Sequence, residues 1–205
     1  FNWNAQFKEV FAQGGFDIVV GNPPYVNIYL LSKNKEDMEF YKQAFVSAYK
    51  KFDLYVLFLE KGVKLLNEGG FLGFIIPDKF LSQPYAEKIR KFILEKCEIK
   101  SFIDLSNINV FHDATVKNVI TILKKEQKEK LRNENGIKII IQSSTTNQEI
   151  LGTISEVKQN LFLQTPENTF RVDLTKNNQQ IIQKIEKDSI RLEKICHISR
   201  GITAH

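Results

Sequence analysis

Asp17-Ile18-Val19-Val20-Gly21-Asn22-Pro23-Pro24-Tyr25 is the stretch on which the fold turns. Residues 17–20 are an apolar run of strand length. Two adjacent prolines cannot continue a strand or sit inside a regular helix, because neither nitrogen can donate a hydrogen bond. Residues 22–25 therefore read as a loop at a strand tip. Residues 26–36 read as irregular, and from Lys35 the spacing of Phe40, Ala44 and Ala48 predicts a helix. Leu54, Leu57, Phe58, Val63, Leu65 and Leu66 predict a second helix over 53–67, stopped by Gly69-Gly70. Phe71 to Ile76, ended by Pro77, is apolar at every position but Gly73, as a strand covered on both sides requires. Ala86, Ile89, Phe92 and Ile93 mark a helix over 84–95, and strands are expected over 100–105 and 116–123. Strand, helix, strand, helix, strand, strand is an α/β order, for which a parallel sheet with helices on its faces is the default. In such sheets ligands bind outside the carboxyl ends of the strands, where residues 22–25 fall.

Beyond Leu123 the character changes. Lys124 to Arg132 is a run of mixed charge, most simply a solvated connection, and residues 137–141 predict one more strand. Residues 143–170 are rich in Thr, Asn and Gln. An exposed helix is expected over 175–187 and a short segment over 192–199, leading to Gly201.

Composition bounds the function. Hydrophobic content of 42% and charged content of 26% over 205 residues suit a globular chain and exclude disordered and collagen-like classes. No apolar run approaches the ~20 residues that span a bilayer. Cys97 and Cys196 lie far apart, form no disulfide framework or metal-ligand spacing, and favour a reducing compartment such as the cytoplasm. No metal site is expected, since His197 and Cys196 lie far from any other ligand type, and His112 reads as a surface-loop histidine and not as a general base. A net charge of +5 is compatible with a polyanionic partner without establishing one.

Val20-Gly21-Asn22-Pro23-Pro24-Tyr25 resembles the signature of the N6-adenine DNA methyltransferases. The order of the segments downstream of it is similar to that of their TaqI-type gamma class, which includes the methyltransferase parts of type IIG restriction–modification enzymes. The resemblance covers residues 16–123. It runs through Asp53-Leu54-Tyr55, Phe58-Leu59-Glu60, Gly69-Gly70-Phe71 to Pro77, and Asn109-Val110-Phe111 with the strand after it. It implies S-adenosylmethionine as methyl donor, double-stranded DNA as partner, and an endonuclease domain elsewhere in a parent chain. It places Asn22, Pro23, Pro24 and Tyr25 in the catalytic loop, Tyr25 and Phe111 on the two faces of a flipped adenine, and Phe58 against the adenine moiety of the cofactor.

The chemistry of those residue types agrees. An adenine amino group is a poor nucleophile because its lone pair is delocalised into the ring. Two acceptors placed for its two N–H groups favour a pyramidal nitrogen that can attack. Asn22 offers a side-chain oxygen and Pro23 a backbone carbonyl, whose direction Pro24 restricts. A base in a duplex must be flipped out before it can be reached, and aromatic rings then hold it. Taken alone, Phe111 and Phe58 could equally be ordinary core aromatics. Asp78, just past Pro77, reads as a turn cap or a residue of the substrate loop.

The sequence contains no G-x-G turn for the methionine part of the cofactor. In the gamma class that turn precedes the Asn-Pro-Pro-Tyr loop, and the only methionine here is Met38. The expectation is therefore the C-terminal half of a Rossmann-like methyltransferase sheet, cut from a longer chain, with an incomplete cofactor site and no activity alone. Domains are expected at 1–142 (catalytic), 143–190 (connecting) and 191–205 (opening of a DNA target-recognition region). The strand over 17–20 should lie at a sheet edge and favour self-association. Two rival readings remain at this level. One is a methyltransferase acting on glutamine in release factors, which faces the same amide-nucleophile problem. The other is a non-catalytic nucleic-acid-binding module.

Overall fold

The computed structural model describes residues 1–31, 35–108, 116–146, 149–172, 181, 184, 185, 187, 189, 190 and 192–197. The chain forms two compact units, Phe1–Val172 and Asp173–His205. In the first, α1 (Trp3–Gln6) and α2 (Lys8–Ala12) lead into β1 (Phe16–Gly21). Then come α3 (Ile28–Leu31), α4 (Lys35–Ala44), α5 (Leu54–Leu65) and β2 (Leu66–Pro77). α6 (Glu87–Lys96) precedes β3 (Cys97–Asp104) and β4 (Asn118–Lys125), and α7 (Glu129–Glu134) precedes the hairpin of β5 (Gly136–Thr146) and β6 (Glu149–Lys158). The architecture is the expected α/β arrangement.

The sheet runs β1-β2-β4-β3-β5-β6. β1 pairs parallel with β2, and β3 with β5, but β4 lies antiparallel between β2 and β3. The parallel sheet taken as the default is thus a mixed one. The reason lies in the order of signals: two strand signals follow each other with no helical signal in the sequence between them, so β4 returns beside β3 and fills the gap left by the α6 crossover. β1 sits at one edge of the described sheet, with Ile18 66% and Val20 75% exposed.

The core forms where α5 lies on β2. Tyr55, Val56, Leu59 and Val63 of the helix are buried, as are Leu72, Phe74 and Ile76 of the strand. Gly62 permits this approach, since a Cβ there would stand 2.5 Å from Leu72 Cδ1. α5 ends at Leu65, before the expected glycine stop. Gly69, with φ +82°, lies in an irregular stretch between Leu66 and Phe71, the residues paired to β1.

Three further expectations change. α4 packs Met38 and Tyr41, with Phe45 and Ala48 beyond its end, against Ile28, Phe52 and Leu57, and Phe40 faces solvent. Ala48 packs as expected, but Met38, Tyr41 and Phe45 take the place of Phe40 and Ala44, since both sets have helical spacing and periodicity alone does not choose between them. The charge run after Leu123 is not simply solvated. Lys124 belongs to β4 and bridges Glu98 at 3.2 Å and Glu126 at 3.6 Å, while buried Arg132 donates to the Leu94 and Glu126 carbonyls. The buried Glu126 and Arg132 are tolerated there because the first meets Lys124 and the second backbone acceptors, while residues 127–131 are exposed.

The stretch read as connecting, 143–190, contains β6 and two short 3-10 turns, Gln159–Gln164 and Pro166–Asn168. Phe162 and Phe170 beyond β6 are buried, and the Phe170 ring packs against Phe80, Phe102 and Phe162 with centroids 5.1–5.6 Å apart. In the second unit, Leu192–Lys194 forms a 3-10 turn, and Ile181, Ile185 and Ile195 are exposed. Most of the helix expected over 175–187 and of the region over 191–205 lies outside the described residues. No described helix is long and apolar enough to cross a membrane.

Candidate active site

The carboxyl ends of β1, β2 and β3 and the start of β4 share one rim of the sheet, since Gly21 pairs with Phe74, Pro77 with Asn118, and Asp104 with Val119. Asn22 comes directly after β1 at this rim. Asn22 and Pro24 are exposed, Pro23 is buried and Tyr25 is half-buried. The loop therefore offers the Asn22 side chain to solvent while its neighbour is anchored.

Tyr25 is held at two points. Its hydroxyl donates to the Ile75 carbonyl of β2 at 3.0 Å, and its ring meets Tyr55 edge-on, with centroids 6.3 Å apart and planes at 79°. Burial pushes the phenol up to about 12, so it stays a neutral donor across the physiological range. The residues after it are tied to the start of α5. Leu54 N–H donates to Val26 O (2.8 Å), Ile28 N–H to Phe52 O (3.1 Å), and the Asn27 amide to Asp53 Oδ1 (3.0 Å). The loop conformation is thus set from both sides.

Asp78 opens a short 3-10 turn at the same rim, and its N–H donates to Lys117 O at 2.9 Å. Burial first, and then the charge of Asp104, raise its carboxyl above the usual range. Phe58 stands on α5 between buried Leu57 and Leu59 yet is 46% exposed. About half of that residue's surface is therefore open to solvent. Of the expected site residues, the structure groups Asn22, Pro23, Pro24 and Tyr25 in one loop. Phe111 and His112 lie outside the described residues. Among the described residues no group of three or more His, Cys, Asp or Glu could hold a metal ion. The supporting contacts of Asn27, Asp53 and Tyr55 were not foreseen. The only sequence trace of them was the Asp53-Leu54-Tyr55 triplet.

A family model for the Eco57I restriction-modification methylase matches residues 1–111. The type II restriction enzyme and methyltransferase RM.Eco57I of Escherichia coli is 36% identical over 112 residues, 54% of this chain and 11% of that protein. This chain thus spans about a tenth of that relative. Among solved structures, the methyltransferase subunit of a type I restriction-modification system from Streptococcus thermophilus superposes with a TM-score of 0.56 at 19% identity, covering 76% of this chain and 37% of that one. The type IIG restriction endonuclease BpuSI gives a TM-score of 0.55 at 16% identity over 88% of this chain and 23% of its own. Both show the shared fold. With more than half of its length matched by the family model, the chain belongs to the Eco57I restriction-modification methylase family.

Proposed function

We propose that this chain forms the base-holding part of a methyltransferase site that acts on the N6 amino group of an adenine flipped out of double-stranded DNA, within a restriction–modification enzyme. The observation that carries this reading is the Asn22–Tyr25 loop at the end of β1, with Asn22 exposed and Tyr25 anchored to Ile75 and Tyr55. Family membership supports it.

Asn22 Oδ1 and the Pro23 carbonyl would accept the two N–H groups of the adenine amine and draw the nitrogen toward a tetrahedral geometry. The anchored Tyr25 ring would carry one face of the base. S-adenosylmethionine, when bound, supplies a methyl group on a sulfonium. The amine held by these two acceptors would take up that methyl group and release its surplus proton to solvent. Neither Asn22 nor Pro23 acts as a base. The exposed Phe58 ring suits the adenine moiety of the donor, so the residues present fit part of the cofactor. The sequence has no G-x-G turn, and we assign the methionine-side contacts and the DNA-specificity region to other parts of the intact enzyme.

The test is methyl transfer by the intact enzyme to duplex DNA against a glutamine-containing peptide. The reading predicts label in DNA alone. Label in the peptide and not in DNA would refute it.

A further inference from the structure

Tyr55 is fully buried in the first turn of α5, and Tyr85 sits in the 3-10 turn that precedes α6. The Tyr85 hydroxyl donates to Asp53 Oδ2 at 3.2 Å. Its single proton is used there, so in the 2.7 Å contact between the two tyrosine hydroxyls Tyr55 is the donor. The other oxygen of Asp53 accepts the Asn27 amide, and Asn27 lies two residues past Tyr25. Tyr55 in turn presents its ring to Tyr25. The contacts close on themselves: Tyr25, Tyr55, Tyr85, Asp53, Asn27, and back along the chain to Tyr25.

We infer that Tyr85 and Asp53 are positioning residues for the proposed methyl transfer: they close a ring of contacts that fixes the plane of Tyr25 before a base arrives. The inference rests on the reading of Tyr25 as the surface that carries the base. A tyrosine held only at its Cβ and its hydroxyl can still turn about the axis joining them. The edge contact with a Tyr55 that is itself held by its hydroxyl removes that freedom. A ring already in place spares the base the cost of ordering it.

The turn bearing Tyr85 is secured independently. Buried Arg90 donates from Nη1 to the carbonyls of Phe80 (3.0 Å) and Gln83 (2.9 Å), and from Nε and Nη2 to that of Glu167 (3.2 and 2.9 Å). Burial keeps both phenols neutral, with Tyr85 pushed up to about 12. The ring therefore persists through the neutral range.

The test is steady-state methylation by the intact enzyme carrying Tyr85→Phe, Asp53→Asn or both, with Tyr25→Ala alongside. Tyr85→Phe keeps the ring and removes one hydroxyl. It should lower kcat about 5- to 10-fold, the size set by one hydrogen bond, with KM for DNA within about twofold. Because the two residues act in one circuit, the double variant should lose about as much as the worse single variant. If Tyr85→Phe fails to fold, Tyr55→Phe removes the same link from the other side and carries the test. A kcat within twofold of wild type, a loss confined to KM, or multiplying losses would overturn the inference. A crippled Tyr25→Ala with an unaffected Tyr85→Phe would remove this inference alone. An active Tyr25→Ala would remove the base-stacking reading as well.

Discussion

Replacing Tyr25 by Phe and by Ala separates its ring from its hydroxyl. The hydroxyl makes one half-buried hydrogen bond, to the Ile75 carbonyl at 3.0 Å. Its loss costs about 1 kcal/mol of stability and leaves the ring and its edge contact with Tyr55 in place. Tyr25→Phe should therefore keep methylation within about 5-fold of wild type. Tyr25→Ala removes the surface on which the base would stack. One base–aromatic contact is worth about 1–3 kcal/mol, so kcat/KM should fall about 5- to 160-fold. The alanine variant also forfeits the Tyr55 contact, about 0.5–1.5 kcal/mol, which should appear in the melting temperature and not in the rate. The assay is the initial rate of labelled methyl incorporation into duplex DNA by the intact enzyme. An alanine variant within twofold of wild type would refute the reasoning. A phenylalanine variant as damaged as alanine would move the role from the ring face to the hydroxyl.

Elsewhere in the structure, Glu60 is fully buried and accepts the N–H groups of Val46 (3.2 Å) and Ser47 (2.8 Å) while bridging Lys64 at 2.6 Å. Glu60→Gln turns an amide toward one of those N–H groups and should lower the urea-unfolding free energy by about 1.5–3 kcal/mol, and an unchanged midpoint would contradict the assignment. The raised Asp78 carboxyl holds its proton more tightly folded than unfolded, so the stability it confers is full below the unfolded value of 3.8 and fades as pH rises through the folded one. Asp78→Asn should therefore melt higher than wild type at pH 7 and equal to it near pH 3, and a lower melting temperature at pH 7 would reverse the sign. The exposed β1 edge should draw the 205-residue chain into association, and Ile18→Lys with Val20→Lys should shift its size-exclusion profile toward monomer. A monomeric, unchanged profile for the parent chain would count against an open edge.

The sequence reveals the fold wherever one segment carries its own signal. The apolar α5 and β2 and the α6 stripe each show in a short window, because burial on one or two faces imposes its own period, while β1 shows through its apolar run and the proline loop that ends it, although Ile18 and Val20 are exposed. The signal fades where a choice depends on partners distant in sequence. The α4 face is fixed by Ile28, Phe52 and Leu57, not by the helix. In the polar-looking run after Leu123 only Glu126 and Arg132 are buried, because Lys124 meets the first and the carbonyls of Leu94 and Glu126 accept from the second, while residues 127–131 stay exposed. β6 was hidden in a Thr- and Gln-rich stretch, since an outer strand can be polar on one face. The site divides in the same way. Asn22 to Tyr25 are contiguous and legible. Asn27 with Asp53, 26 residues apart, and Tyr85 with Asp53, 32 apart, meet only through the fold.

The central claim is that Asn22 presents an acceptor to an adenine amine. Its most direct test is nucleoside analysis of duplex DNA treated with the intact enzyme and labelled S-adenosylmethionine, for wild type and for Asn22→Ala. The account predicts label in N6-methyladenine with wild type and its loss with Asn22→Ala while DNA binding persists. Label in a cytosine derivative, or N6-methyladenine undiminished by Asn22→Ala, would contradict it.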